Sequence, residues 1–348
     1  MDRRKFLIAG LAAPFALSRS TLAKDRIPIG DMHFHLFFVG PRPAHTQPLA
    51  RNMASGGATL ATWSIVGDMP WLAPARGGFK QKGSPRPDEP KTWLAEELGR
   101  VMRHIREQGL GVARTPADVD AALKGEPHVV LSVEGATFAE GNPAEIDLAH
   151  GLGIRSLQLV HYIRNPLGDF QTEKPQHNGL TEAGKQVVRD CQKRGILVDL
   201  AHCTPRAVED ALSVAKLPLV WSHGSVTRST PDWTMPTVKA RQLKLDFAKQ
   251  IAAQGGVVGL WALGGDVGTS VESYTDRLLQ MADWLGEDHV AFGSDMNALA
   301  KPALASFADH RRAIELMLRR NVPEARVRKI AIENYARVLK GAMTGKAA

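Results

Sequence analysis

Short β-branched runs, each followed by a polar or glycine-containing break and a helical stretch, recur through residues 27–340. The runs are Gly30–Leu36, Ala58–Val66, His128–Glu134, Ser156–His161, Ile196–His202, Leu217–His223, Val257–Trp261 and His289–Asp295. Helical patterns lie between most of them, among them Trp93–Glu107, Thr181–Arg194, Pro205–Ala215, Lys244–Ala253 and Ser273–Trp284, and Pro323–Leu339 closes the chain. Strands alternating with helices demand a parallel sheet, because each crossover must carry the chain back to the end where the previous strand began. Eight such units predict a (β/α)8 TIM barrel. An open, doubly wound sheet is the other arrangement this pattern permits. Its dinucleotide-binding version has no support, since no G-x-G-x-x-G follows the first run.

No low-complexity tract or linker interrupts the alternation, so residues 24–348 are expected to form one domain, as a barrel of this length does. Hydrophobic residues at 44% and charged residues at 23% exclude a disordered or collagen-like chain. Two cysteines exclude a disulfide scaffold and a multi-cysteine zinc module. Cys191, late on a helix, and Cys203, beyond the far end of the next strand, are expected as free thiols. The net charge of +8 has no basic stripe interleaved with aromatics behind it, so nucleic acid is not an expected partner.

Part of that charge sits in a leader. Met1–Ala23 opens with Arg3-Arg4-Lys5-Phe6-Leu7, continues through an uncharged run from Ile8 to Leu17, and ends in Thr21-Leu22-Ala23, a small-residue cleavage site. The paired arginines followed by Phe-Leu match the bacterial twin-arginine signal, with Asp2 where Ser or Thr is usual. The run is too short for a membrane span, which needs about 20 apolar residues. The expected partner is the twin-arginine export machinery, and the expected location is periplasmic or secreted.

In a parallel barrel the side chains at the C-terminal strand ends converge on one face, where chemistry takes place. Here those ends carry His33 and His35, Glu134, His161, His202, His223 and Asp295. Five of the twelve histidines thus fall at strand ends, while the rest lie in loops, helices or strand starts and read as surface or structural. His33 and His35, two apart on one strand, point to one face and form a pair of imidazole ligands suited to zinc, unless the H-x-H is coincidental. Asp31 faces the same way as a candidate partner of a ligating histidine. Glu134 reads as a carboxylate bridging two metals or as half of an ion pair with an arginine. His202 and His223 each end a hydrophobic run at the depth of the first pair, either as ligands or as satisfied core histidines. Asp295 is a candidate general base or a helix N-cap. Arg241 by itself is a solvated charge. The Pro- and Gly-rich Asp68–Pro90 stretch is expected over the mouth as a wall or lid.

Taken together these segments resemble the membrane (renal-type) dipeptidases, a zinc family of the amidohydrolase superfamily. The likeness runs over roughly residues 28–340. It rests on Asp31-x-His33, Gly57…Trp63-Ser64, Ser132-Val133-Glu134-Gly135, Leu159-Val160-His161-Tyr162…Asn165, Gly179-Leu180-Thr181…Gly184, the stretch from Gly195 to His202, Ser222-His223, Gly293-Ser294-Asp295 and Glu333-Asn334-Tyr335…Arg337-Val338. The resemblance implies a two-zinc site, or another divalent metal pair, on a (β/α)8 barrel. His33 and His35 would bind one metal, Glu134 would bridge, and His202 with His223 would bind the second. His161 would polarise the scissile carbonyl, Asp295 would shuttle the proton, and Arg241 would pair with the free carboxylate of a dipeptide substrate. A homodimer is implied in the same way.

The sequence departs from the family pattern in places. His35 stands where an Asp is usual, Met296-Asn297-Ala298 replaces F-D-G, and Gln242 replaces an Asn. A lactam, lactone or N-acyl amino acid is the alternative substrate for the same metal site. A periplasmic metal-binding protein without catalysis is the alternative of another class, and it gives Asp295 nothing to do.

Overall fold

The computed structural model describes residues 26–36, 48–75, 78–230 and 234–346. The leader Met1–Ala23 and His45 lie outside the described residues.

The barrel strands are β1 (Ile29–Phe34), β2 (Ala58–Val66), β3 (His128–Glu134), β4 (Ile154–Gln158), β5 (Leu197–Asp199), β6 (Val220–Trp221), β7 (Val257–Leu260) and β8 (Val290–Phe292). They pair in chain order, each parallel to the next. The seam between β8 and β1 is closed by a parallel bridge from Phe34 to Met296 and by the Asp295 amide donating to the His33 carbonyl at 2.9 Å. This is the (β/α)8 barrel that the alternation predicts. Several strands are shorter than their apolar runs. His161, His202, His223 and Asp295 therefore lie two or three residues past the last paired residue, on the loops that the strands launch.

The crossover helices bury one stripe each, and some start on side-chain caps, as at Thr181 before Glu182–Arg194 and Thr204 before Pro205–Val214. The expected closing helix is in fact three pieces. Glu324–Arg328 passes through a π-helical turn, Lys329–Glu333, into the helix Asn334–Thr344. That last helix closes the N-terminal end of the barrel. Met32, Leu60, Val130, Leu197, Val220, Val257 and Ala291, one from each of seven strands, pack with its Tyr335, Leu339 and Ala342 and with Ile332. Inside this plug the Tyr335 hydroxyl and Thr62 Oγ1 are 2.5 Å apart.

Asp68–Pro90 carries a small antiparallel hairpin, Leu72–Ala75 with Gly78–Gln81, whose Gly78 and Phe79 wall a cavity at the opposite, open end. Cys191 and Cys203 are free and buried. No helix among the described residues is long and apolar enough to cross a membrane.

Candidate metal centre

Every candidate residue from the strand ends reaches the same few ångströms of space. The Nε2 atoms of His33 and His35 are 3.0 Å apart. Those of His202 and His223 are 3.1 Å apart. Between the two pairs lies the Glu134 carboxylate. Its Oε1 is 3.6 Å from His33, 3.3 Å from His202 and 3.5 Å from His223, and its Oε2 is 3.5 Å from His35. His33, His35 and Glu134 form one donor set, and Glu134, His202 and His223 form another. All five side chains are buried.

The far sides of the rings explain why the Nε2 atoms turn inward. His35 Nδ1 lies 3.0 Å from the Ser64 carbonyl, which can only accept, so Nδ1 carries the proton and Nε2 keeps its lone pair. His33 Nδ1 meets Ser64 Oγ at 3.0 Å, and His223 Nδ1 meets Ser222 Oγ at 2.9 Å. His202 and Asp295 sit at φ 70° and 52°, a left-handed backbone that is costly for non-glycine residues and concentrates at functional sites.

Burial pushes the pKa of Glu134 up, but the charge of His161 and His33 and hydrogen bonds from His202 and His33 hold it well below the ordinary range. Burial drives His202 and His223 well down, helped by the Arg241 charge at His202 and by His33 at His223, so both rings are neutral and can act as ligands. For His35 burial acts in the same downward sense, yet the Asp295 hydrogen bond and the Glu134 charge raise its pKa. Neutral imidazoles converging on an ionised carboxylate, with a further site that attracts positive charge, suit a divalent metal ion.

His161 joins the cluster from β4, its Nε2 3.5 Å from Glu134. Its Nδ1 is held at 2.7 Å by Asp68, which also accepts the Tyr162 amide at 3.1 Å. Burial would lower the His161 pKa, but the Asp68 and Glu134 charges raise it. Asp68 was not among the expected site residues. It sits two positions past β2, a strand whose own end offers no acid or imidazole, and the strand-end reading extended by one turn would have found it. Asp295 reaches His35 Nε2 at 3.2 Å.

Arg241 corrects its default reading as a solvated charge. It is buried, stacks 5.4 Å from the Trp261 ring, and lies with Nη1 2.8 Å from His202 Nδ1 and 2.5 Å from Nε2. Its Nη2 is buried with no hydrogen-bond partner. Asp31 differs from its expected role as well. The strand register is irregular between Asp31 and Phe34, and the carboxylate binds His310 Nε2 at 3.0 Å and Ser294 rather than a ligand ring. It supports His33 through the main chain, accepting its amide at 3.1 Å. Of the departures from the family pattern, Asn297 donates to the His35 carbonyl at 2.6 Å. Gln242 turns away from the metal residues and donates to Asp266 at 2.8 Å.

A cavity of about 340 Å³ opens over the cluster, lined by His35, Glu134, His161, His202, Arg241 and Asp295 on one side. Phe79, Tyr162, Met235, Val238, Trp261 and Leu263 are among the residues that wall its other side.

The membrane dipeptidase family, peptidase family M19, matches residues 87–348. The chain belongs to that family. The match begins beyond β2, so His33 and His35 lie outside it, while Glu134, His161, His202, His223, Arg241 and Asp295 lie within. The dipeptidase tcpJ of Claviceps purpurea is 27% identical over 256 residues, which are 70% of this chain and 57% of that protein. The chain thus spans little more than half of this curated relative. A metallopeptidase from Rhodobacter sphaeroides, solved with a phosphinate mimic of the dipeptide L-Ala-D-Ala, superposes with a TM-score of 0.75 at 23% identity. The superposition covers 91% of this chain and 99% of that one. An amidohydrolase from Pseudomonas aeruginosa gives 0.72 at 20% identity over 93% and 98%. These two likenesses are of fold, and both proteins have the barrel described above.

Proposed function

We propose that this member of the membrane dipeptidase family is a metal-dependent dipeptidase using two Zn²⁺ ions. One donor set is His33, His35 and Glu134, and the other is Glu134, His202 and His223. When bound, such a pair of cations makes water nucleophilic at neutral pH and polarises an amide carbonyl. The chain's own residues do the rest. Asp295, against His35 and facing the cavity, accepts a proton from the nucleophile and returns it to the leaving amine. His161, held at Nδ1 by Asp68 and with its pKa raised by the Asp68 and Glu134 charges against its burial, donates through a protonated Nε2 to the carbonyl oxygen as charge develops there.

The observation that carries the substrate reading is Arg241. A buried guanidinium nitrogen without a partner is costly, and it lines a cavity of dipeptide size. A substrate carboxylate satisfies it with charge-assisted hydrogen bonds. The test is metal content by elemental analysis together with hydrolysis of L-Ala-L-Ala and L-Ala-D-Ala on the same sample. Two metals per chain, with turnover, and a KM raised about 10- to 100-fold in Arg241→Met are the expected results. Two metals without dipeptide turnover would overturn the substrate.

A second reading is favoured by one feature of the cavity. Among the described residues its only carboxylates are Glu134 and Asp295, both turned towards the histidines, so no acid is set aside for a substrate ammonium. N-acyl amino acids keep the carboxylate that Arg241 needs and place an uncharged group against Phe79, Leu263 and Leu299. Faster turnover of N-acetyl-L-alanine than of L-Ala-L-Ala would select this reading. We further propose that Met1–Ala23 directs twin-arginine export to the periplasm. Retention in the cytoplasm of a chain carrying Arg3→Lys and Arg4→Lys is the expected result of fractionation.

A further inference from the structure

Behind the two donor sets, on the side away from the cavity, the rings of His33 and His223 approach one hydroxyl. Ser222 Oγ lies 2.9 Å from His223 Nδ1 and 3.3 Å from His33 Nδ1. The Asp199 carboxylate stands beside both rings, within 4.8 Å of a nitrogen of each. Asp199 is itself fixed, its Oδ1 accepting the amides of Ser222 and Ala201 at 2.9 Å each. His33, Asp199 and His223 could be taken for a third metal set, since their donor atoms cluster closely. Two backbone donors on Asp199 and a serine hydroxyl among the three groups argue for hydrogen bonds instead.

The protons can be counted. A histidine that offers Nε2 to a metal carries its proton on Nδ1. The His223 Nδ1–H therefore donates to Ser222 Oγ, and the His33 Nδ1–H is shared between Ser222 Oγ and the nearer Ser64 Oγ. One ligand from each metal set thus reaches the same hydroxyl. The barrel makes room for this residue. A Cβ on Gly293 would meet the Ser222 carbonyl at 1.7 Å, and one on Gly259 would meet it at 1.9 Å, so both positions must stay bare for the Ser222 main chain to pack there.

We propose that Ser222, backed by Asp199, is a positioning residue shared by both metal sites, fixing the tautomer and the ring plane of His33 and His223 at once. The proposal rests on the two-metal reading above but not on the substrate. Ser64 provides the contrast, because its hydroxyl serves His33 and not His223.

The experiment is calorimetric titration of Zn²⁺ into the metal-stripped protein, with metal content after dialysis as the second readout. Wild type is expected to show two binding steps. Ser222→Ala should weaken both by about 10- to 100-fold, the usual cost of losing a hydrogen-bonding partner behind a ligand, whereas Ser64→Ala should weaken one. Asp199→Asn should weaken both steps in the same way, because a neutral amide is a poorer acceptor for the Ser222 main-chain N–H that holds the residue in place. That variant carries the test if metal-free Ser222→Ala does not fold. A single weakened step, or two unchanged steps, in either variant would overturn the proposal, as would fewer than two equivalents on wild type. Two steps without dipeptide hydrolysis would remove the proposed substrate and leave this inference standing.

Discussion

The two ends of the barrel are built from the same strands and follow opposite rules. At the N-terminal end Leu60, Val130, Leu197 and Val257 pack dry against Leu339 and Ile332, and every side chain is nearly or fully buried. At the C-terminal end the same depth of burial is given to imidazoles and carboxylates. Burial of apolar groups contributes stability, whereas burial of ionisable groups costs it unless each finds a partner. The lower end can therefore be varied at the expense of folding alone. The upper end can be varied at the expense of chemistry, and some changes there should even relieve the fold.

The sharpest way to separate the ends is a pair of single changes. Asp295→Asn should lower kcat by about 10²–10⁴-fold, the span for losing a general base, with a thermal midpoint close to wild type. Leu339→Ala, in the plug, should do the reverse. It should cost about 2–5 kcal/mol in chemical unfolding and leave KM unchanged where the protein is folded. Equal losses of activity and stability in either variant would break the comparison.

Metal should stabilise through the upper end alone. At a free concentration of 100 Kd, each bound ion adds about 2.7 kcal/mol, visible as a concentration-dependent rise in melting temperature. Glu134→Gln, which disables the donor shared by both sets, should abolish that rise while leaving the metal-free melting temperature near wild type.

Asp169 tests the loop that follows β4 on the upper rim. Its carboxylate accepts the amides of Gln176, His177 and Gly179 at 2.6, 3.0 and 2.9 Å, and despite its burial these bonds lower its pKa. Its contribution is therefore fully present above the unfolded pKa of about 3.9 and disappears as pH falls through the lower folded value. The difference in unfolding free energy between wild type and Asp169→Asn should be about 1.5–3 kcal/mol at pH 6 and should shrink towards pH 2. The smallest effect is expected in the plug, where Tyr335→Phe removes one buried hydrogen bond to Thr62 and should cost about 1 kcal/mol without touching activity.

Much of this molecule was legible before its structure. The alternation of apolar runs and helical stretches implied the barrel, because a parallel strand can be reached only by a crossover. The strand ends then indicated His33, His35, Glu134, His161, His202, His223 and Asp295, since a polar group after a hydrophobic run has few other uses. Local pattern was enough for these residues because strand direction and period fix which end and which face a side chain occupies.

Only the tertiary structure decided who partners whom. That Asp68 orients His161 depends on two loops meeting across 93 positions of sequence. Asp31 takes the ring of His310 rather than that of a ligand, and reaches His33 only through its amide. Arg241 by itself looked like any surface charge, and only the resemblance gave it a substrate; that Trp261 and His202 enclose it is a matter of the fold. Ser222 reaches two ligand rings with one hydroxyl, 2.9 Å from His223 and 3.3 Å from His33, rings brought together from strands far apart in sequence. Hydrogen bonds act over about 3 Å, so they are set by how the whole barrel closes, while the sequence by itself fixes only what each strand brings to its end.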